Sequence, residues 1–522
     1  MKQAPGSLPS VANVDTDRSA SKNGSGGRRS SISRNASFNI LGSVLPMFVT
    51  LATVPPYLKL IGDVRFGVLS LVWVFLGYFG LFEMGLGRAT SKYIAQLKND
   101  AGETRESVFW TALLVNLAVG SVGGLLLWIV ASLTMPFWLK AGGDIQAEVA
   151  RSMPWLAAAV PVATLTSVLV GALEGREEFG AINSQQIGAT VVFQLVPLGI
   201  AAWLGPRIDW LVAATVLTRV ATNVPLFVFC VRRVPLRGMP RINREWVVRL
   251  WRFGIWITVS GIASPILTSL DRFVIGFAQG AQAVTYYAIP YGFASKLLVF
   301  PSSVSRALYP RFSAQQLSTA TQMGVRAVLG LASILTPIVV SAILVTGPFF
   351  RFWIGPAAAA RCVHAGILLS IGIWINALAY IANGLLQAQG RPDLPAKFHL
   401  AEILPFVVIL WAGVHFGGVT GAAIAWGIRA AGDAVLLFAA AGMLRATIVR
   451  LVPSIALISV ASIAAFLVGE HLLIRALFFI LLGAGSLLVG NATSPEAMQL
   501  VLTRARSLFG KTGLRATSET RA

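Results

Sequence analysis

Apolar stretches of about 20 residues without a charge recur along nearly the whole of this chain, and no other feature limits its fold so tightly. Each is long enough to cross a hydrocarbon core of ~30 Å as a helix. Strands of a membrane barrel would instead alternate apolar and polar residues in segments of ~10, and these runs do not alternate. Of the 522 residues, 56% are hydrophobic and 12% charged, whereas soluble domains carry about 25% charged residues. Mean hydropathy is +0.73. The expected fold class is an all-α polytopic membrane protein.

Fourteen spans are expected, near 37–58, 66–88, 107–135, 152–173, 186–204, 210–231, 253–278, 284–305, 327–349, 362–386, 399–417, 420–442, 451–469 and 472–490. The connections alternate in charge. One set holds Arg28, Arg29 and Arg34, then Lys92, Lys98 and Arg105, Arg176, the block from Arg232 to Arg252, Arg306, Arg311 and Arg326, Arg391 and Lys397, Arg445 and Arg450, and the tail Arg504, Arg506, Lys511 and Arg515. The other set holds Lys59, Arg65, Lys140, Arg151, Arg207, Arg351, Arg361 and Arg475. A bias of roughly three to one places both termini in the cytoplasm. Membrane topology therefore accounts for the formal charge of +21, and no nucleic-acid partner is expected. Residues 1–35, rich in Ser, Gly, Asn and Arg, read as a disordered cytoplasmic tail. Residues 493–522 read as a second cytoplasmic tail. Two cysteines and four scattered histidines offer no disulfide framework or metal site, and no cofactor is expected.

Spans 1–6 (36–231) and 7–12 (253–445) read as two copies. LEGREEF (173–179) matches AQGRPDL (388–394) at an offset of 215, LTRVATN (217–223) matches GIRAAGD (427–433) at 210, and GDVRFG (62–67) matches GAQAVT (280–285). The second match lays Arg219 over Arg429 and Asn223 over Asp433. A six-helix unit has even parity, so the two bundles relate by a pseudo-two-fold axis along the membrane normal and are expected to enclose a central cleft. Residues 232–252 form a basic linker with an apolar side (Ile242, Trp246, Val247, Leu250, Trp251) suited to the anionic inner leaflet. Residues 446–492 hold two helices outside the duplication.

Two long segments carry a family resemblance. IGDVRFGVLSLVWVFLGYFGLFEMGLGRATSKYIAQ (61–96) resembles the second-helix signature of oligosaccharide-lipid flippases, with its Gly-aromatic-Gly entry, acid-x-Gly-x-Gly close and basic-aromatic-Ile-Ala exit. SLDRFVIGFAQGAQAVTYYAIPYGFASKLL (269–298) resembles the same family's seventh and eighth helices. Glu83 stands where the family more often has Asp, which keeps the charge. The similarity spans roughly 35–445 and points to the polysaccharide-exporter branch of the multidrug/oligosaccharidyl-lipid/polysaccharide superfamily, which also holds multidrug antiporters and lipid II flippases. It implies a bacterial inner-membrane protein that moves an undecaprenyl-pyrophosphate-linked oligosaccharide across the lipid bilayer, alongside a polysaccharide polymerase and other export proteins.

Charges inside the spans are the candidate functional residues, because each costs about 2.5–3.5 kcal/mol at mid-bilayer unless it meets a partner or water. Arg272, Lys296 and Arg219 are candidates for gripping a pyrophosphate, since Arg takes phosphate oxygens bidentately; packing contacts are the alternative. Asp271 and Arg272 point about 100° apart, so one faces the cleft while the other ties to a neighbouring helix. Arg429 and Asp433, four residues apart, read as an intrahelical ion pair or as coupling groups. Glu83 is a proton-responsive carboxylate or the partner of Arg88 or Lys92. Glu402 lies at the start of its span and suits the helix N-terminus there.

ARSLFGKT (505–512) lacks the first Gly of a phosphate-binding loop and follows no strand, so it is set aside. Two rival functions remain. A multidrug antiporter of the same architecture calls for cleft acids rather than bases. A membrane glycosyltransferase or polymerase calls for a sizeable extramembrane loop, and the longest of the outer connections, 139–151 and 350–361, are short.

Overall fold

The computed structural model of the chain describes residues 25–78, 85–97, 102–138, 143–234, 240–469, 471–499 and 503. All regular structure among the described residues is helical. Among the described residues, ten helices are long and apolar enough to cross a membrane. Two of them, α1 (Ser25–Tyr78) and α12 (Asp393–Ala440), are each broken by a glycine, Gly62 and Gly418, into two arms. With α7 (Arg244–Gln279) and the pair α8 (Ala281–Ala294) and α9 (Val299–Ala314), every expected span has a helical counterpart. The remaining helices are α2 (Leu86–Gln96), α3 (Gly102–Trp138), α4 (Gly143–Gly175), α5 (Phe179–Leu204), α6 (Ile208–Arg233), α10 (Leu317–Ile354), α11 (Pro356–Ala388), α13 (Leu444–Leu467) and α14 (Leu472–Thr493).

The two six-span bundles carry the duplication in their turns. Gly62 (φ 75°, ψ 169°) reverses the chain between spans 1 and 2, and Gly280 (φ 86°, ψ 173°) does so between spans 7 and 8. That backbone region is open only to glycine, which explains why GDVRFG and GAQAVT share their first residue. The other matches need a shift. Glu178 N donates to Leu173 O in one copy and Arg391 N to Leu386 O in the other, and this six-to-one closure of a helix end repeats at an offset of 213. The sequence matches at 215 and 210 aligned the Gly-Arg and Arg side chains. The residues that turn the chain are Glu177 and Gly390, both at positive φ. Arg219 and Arg429 are therefore not equivalent: they differ by three residues in register, and they face different surroundings.

Three other expectations change. The span expected over 66–88 is broken by the left-handed Gly85 (φ 67°), after which α2 begins, and 79–84 lie outside the described residues. The helix of span 1 already begins at Ser25, inside the expected tail, since a helix built on an apolar segment propagates at small cost per residue; residues 1–24 and most of 500–522 lie outside the described residues. The linker is in part helix. Asn243 caps α7, its side-chain oxygen accepting from Glu245 N and Trp246 N, and Trp246 and Leu250 are buried against Ile94, Phe109 and Leu173 of the N-terminal bundle. The apolar side of the linker thus packs on protein at those two positions.

α13 and α14 sit on α10. Arg475 holds α14 in place: Nε donates to Gly469 O (2.7 Å), Nη1 to Leu344 O (3.0 Å) and Nη2 to Ala465 O (3.0 Å). Gly347 leaves room for it, since a Cβ there would lie 2.9 Å from Nη1. Charge-assisted bonds of this kind contribute ~1.5–3 kcal/mol each, so Arg475→Ala is expected to cost about 3 kcal/mol or more after partial relaxation. Thermal melting of the purified protein in detergent reads this as a clear fall in Tm.

Candidate functional site

The two bundles touch at the face that carries the Gly62 and Gly280 turns. Gly67 packs so closely on α8 that a Cβ would lie 1.8 Å from Ala281 O. Asp63 gathers the α8 side chains: its carboxylate accepts from Gln282 Nε2 (2.6 Å) and from the Tyr286 hydroxyl, and its carbonyl accepts from Thr285 Oγ1. Arg361 Nη1 reaches the same Tyr286 oxygen (3.4 Å). Trp353 Nε1 donates to Leu51 O (3.2 Å), a third link between bundles. Sequence reasoning passed over Asp63; its signal was its place beside a turn glycine that both copies share.

Below this contact lies a cavity of about 460 Å³ between the bundles. Both arms of α1 supply one wall, with Phe66, Ser70 and Trp73. The other wall comes from α7, α8 and the 3₁₀ turn Ser295–Leu298, and it carries Arg272 and Lys296. The span expected at 284–305 is therefore not one continuous α-helix. Its 3₁₀ segment follows Pro290 and precedes Pro301, and Lys296 sits in it. Arg272 lies over the Tyr291 ring at 4.4 Å. Its Nε is buried without a hydrogen-bond partner among the described residues, and so is Trp73 Nε1 on the opposite wall. Lys296 makes no ion pair or hydrogen bond among the described residues. Asp271 turns the other way, fully buried, accepting from Tyr287 Oη (2.5 Å) and from Arg272 N (2.8 Å).

Arg219 is not in this cavity. It lines a second one, of about 550 Å³, inside the N-terminal bundle between α2, α4, α5 and α6. Its Nη1 donates to Leu76 O (3.1 Å) and its guanidinium lies 5.3 Å from the Phe193 ring. Arg88 lines the same space, and Gly77 lines both cavities. Glu83 lies outside the described residues.

Residues 32–316, more than half of the chain, match the family described as Polysaccharide biosynthesis protein. The chain belongs to that family. A relative named Putative O-antigen transporter, from Shigella flexneri, is 28% identical over 408 residues, covering 78% of this chain and 97% of the relative. Among solved structures, lipid II flippase MurJ in an inward closed conformation aligns with a TM-score of 0.68 at 14% identity, covering 88% of this chain and 98% of its own. An inward-facing multidrug resistance MATE family transporter of the MOP superfamily aligns with a TM-score of 0.56 at 17% identity, covering 78% and 95%. At these identities the two structures establish a shared fold.

The C-terminal bundle of this polysaccharide biosynthesis protein holds a second set of charges, away from the cavity. Arg429 Nη1 lies 3.6 Å from Glu402 Oε2, and His399 Nε2 lies 3.6 Å from Asp433 Oδ1. These pairs join the two arms of α12 across the Gly418 turn, so the expected intrahelical pairing of Arg429 with Asp433 gives way to cross-arm pairs. Glu402 faces Arg429 as a partner rather than capping a helix, because α12 begins nine residues earlier, at Asp393. Phe406 and Trp426 flank the guanidinium at 5.6 and 5.5 Å. Removing one partner of a buried pair leaves an uncompensated charge, so Arg429→Met is expected to cost about 3–5 kcal/mol, and Arg429→Met with Glu402→Gln clearly less. The two melting temperatures, compared side by side, check this.

Proposed function

We propose that this chain is a flippase that carries an undecaprenyl-pyrophosphate-linked oligosaccharide across the bacterial inner membrane for surface polysaccharide assembly. The observation that carries the reading is the donor set of the inter-bundle cavity: Arg272 Nε and Trp73 Nε1 are buried donors lacking an acceptor among the described residues, and Lys296 brings a second cation to the same space. A buried unpaired donor costs about 1–3 kcal/mol, and a ligand rich in acceptor oxygens removes that cost. A diphosphate supplies such oxygens with the charge to match two cations, and its polyprenyl tail stays in the bilayer. The Shigella flexneri relative, named as a putative O-antigen transporter, supports a passenger of this class.

With the termini in the cytoplasm, as the loop charges require, the Asp63 contact closes the outer side and the cavities lie toward the inner side. Transport then consists of opening that contact and closing the inner side in turn. The cations of the cavity disfavour the lipophilic cations that a multidrug antiporter takes.

Binding to the purified protein tests the assignment. Undecaprenyl diphosphate is expected to bind at least ~100-fold more tightly than undecaprenol, two charge-assisted contacts being the source. Equal affinity for the two lipids contradicts it.

A further inference from the structure

The N-terminal bundle contains more polar surface than a membrane-spanning bundle needs. Along α5, Gln185, Gln186, Thr190 and Phe193 recur at helical spacing and line the 550 Å³ cavity, while Val192, Leu195 and Val196 on the other side are exposed. α6 repeats the pattern, with Thr218, Arg219, Thr222 and Asn223 lining the cavity and Leu217, Val220 and Val224 exposed. α4 adds Thr166 and Ser167. Three helices thus each turn a stripe of amides and hydroxyls inward, at a place where apolar packing would be more stable if nothing polar entered.

Part of this surface is satisfied internally. Thr166 Oγ1 donates to Asn223 Oδ1 (2.9 Å), Asn223 Nδ2 to Val162 O (3.3 Å) and Gln185 Nε2 to Thr222 O (3.1 Å). Those bonds hold the cavity wall in one arrangement. The Gln186 amide and the Thr218 hydroxyl have no partner among the described residues, and Arg219 spends a single donor, on Leu76 O. The charged members are mixed in sign, Arg88 and Arg219 with Glu174. Such a lining suits an uncharged, hydroxyl-rich ligand better than a compact anion.

Its position matters as much. Gly77 borders both cavities, and a Cβ there would meet nothing within 4 Å, so the two spaces adjoin at a residue that has no side chain. The ring of Phe193 packs 6.3 Å from that of Trp73, linking the walls.

We infer that the cavity of the N-terminal bundle is the sugar subsite: it receives the oligosaccharide by hydrogen bonds from the polar stripes of α4, α5 and α6 while the diphosphate rests between Arg272 and Lys296. The inference rests on the diphosphate reading for its geometry. It assigns recognition of the sugar to residues that do not touch the diphosphate, so a change of sugar specificity follows from changes at Gln186, Thr190 and Thr218 with the cationic wall untouched.

The test compares three probes on the full-length protein: undecaprenol, undecaprenyl diphosphate, and the pool of undecaprenyl-diphosphate-linked oligosaccharides extracted from the native cells. Wild-type protein is expected to bind the pool at least about tenfold more tightly than bare undecaprenyl diphosphate. Gln186→Leu and Thr218→Val, two variants on different helices, are each expected to shrink that advantage about three- to fivefold, in line with one or two neutral hydrogen bonds, and to leave bare undecaprenyl diphosphate unchanged. A pool that binds no better than the bare diphosphate, or an advantage that both variants leave intact, overturns the subsite. A bare diphosphate that binds no better than undecaprenol removes the diphosphate reading alone; the loss of pool binding in the variants still supports the sugar subsite.

Discussion

Arg272→Ala with Lys296→Ala is expected to abolish movement of the lipid-linked oligosaccharide while the protein still reaches the membrane and melts near the wild-type temperature. Arg272 and Lys296 both line the cavity between the bundles. Neither makes an ion pair with a described residue, and Arg272 leaves a buried donor unused, so their removal takes away little native stability. What is lost is contact with a diphosphate. Each charge-assisted bond contributes about 1.5–3 kcal/mol, so the double variant is expected to bind undecaprenyl diphosphate at least ~100-fold more weakly. Arg272→Lys separates charge from shape: it keeps the cation but loses the planar fork that grips two oxygens, and is expected to fall between the two. Surface polysaccharide measured in cells lacking the chromosomal copy checks all three. The neighbouring Asp271 behaves differently. It is fully buried and bonded to Tyr287, so Asp271→Ala is a stability defect first and a transport defect second.

Gly67→Val is expected to force open the closed face. A Cβ at this position would lie 1.8 Å from Ala281 O and 2.9 Å from Thr285 Oγ1. The first is backbone and has no rotamer into which to retreat, so α1 and α8 must separate. Asp63 lies one helical turn before Gly67, and separation also strips its carboxylate of Gln282 and Tyr286. Accessibility reads the outcome. A thiol introduced by Ser70→Cys, at a buried position on the cavity wall, is expected to resist a membrane-impermeant reagent added from the outer side of wild-type protein and to react in the Gly67→Val background. The native Cys230 and Cys362 are both buried and are replaced first. Asp63→Asn is the gentler companion. It keeps the size of the side chain and weakens two bonds, so it shifts the same labelling part of the way without steric conflict.

Much of this architecture was legible from the chain alone, because a membrane reduces folding to a few strong rules. Span positions follow from the lengths of charge-free apolar runs, and the even count follows from parity with the charged loops. The breaks were harder. Pro290 and Pro301 flank the 3₁₀ turn that holds Lys296, yet prolines are common in membrane helices and seldom announce an unwound segment. The register of the repeat misled for a related reason: short matches favour conspicuous side chains such as Arg176 and Arg391, whereas backbone geometry aligns Glu177 with Gly390. Depth in a span says a charge needs company but not whose. Asp271 found a tyrosine on the next helix, Arg429 found Glu402 on the other arm of its own hairpin, and Arg219 turned into a neighbouring cavity rather than the one that holds Arg272 and Lys296. The polar stripes of α5 and α6 were visible as Gln, Thr and Asn within apolar runs; without the other helices in place there was no way to see that they converge.

Translocation in vesicles tests the central claim most directly. Purified protein is reconstituted with undecaprenyl-diphosphate-linked oligosaccharide from the native cells on one leaflet, and arrival of sugar on the other is followed with an impermeant lectin or glycosidase. Rapid appearance with wild-type protein, and its loss in Arg272→Ala with Lys296→Ala, is the predicted result. Appearance at the same rate in the double variant, or at the protein-free rate with the wild type, contradicts it.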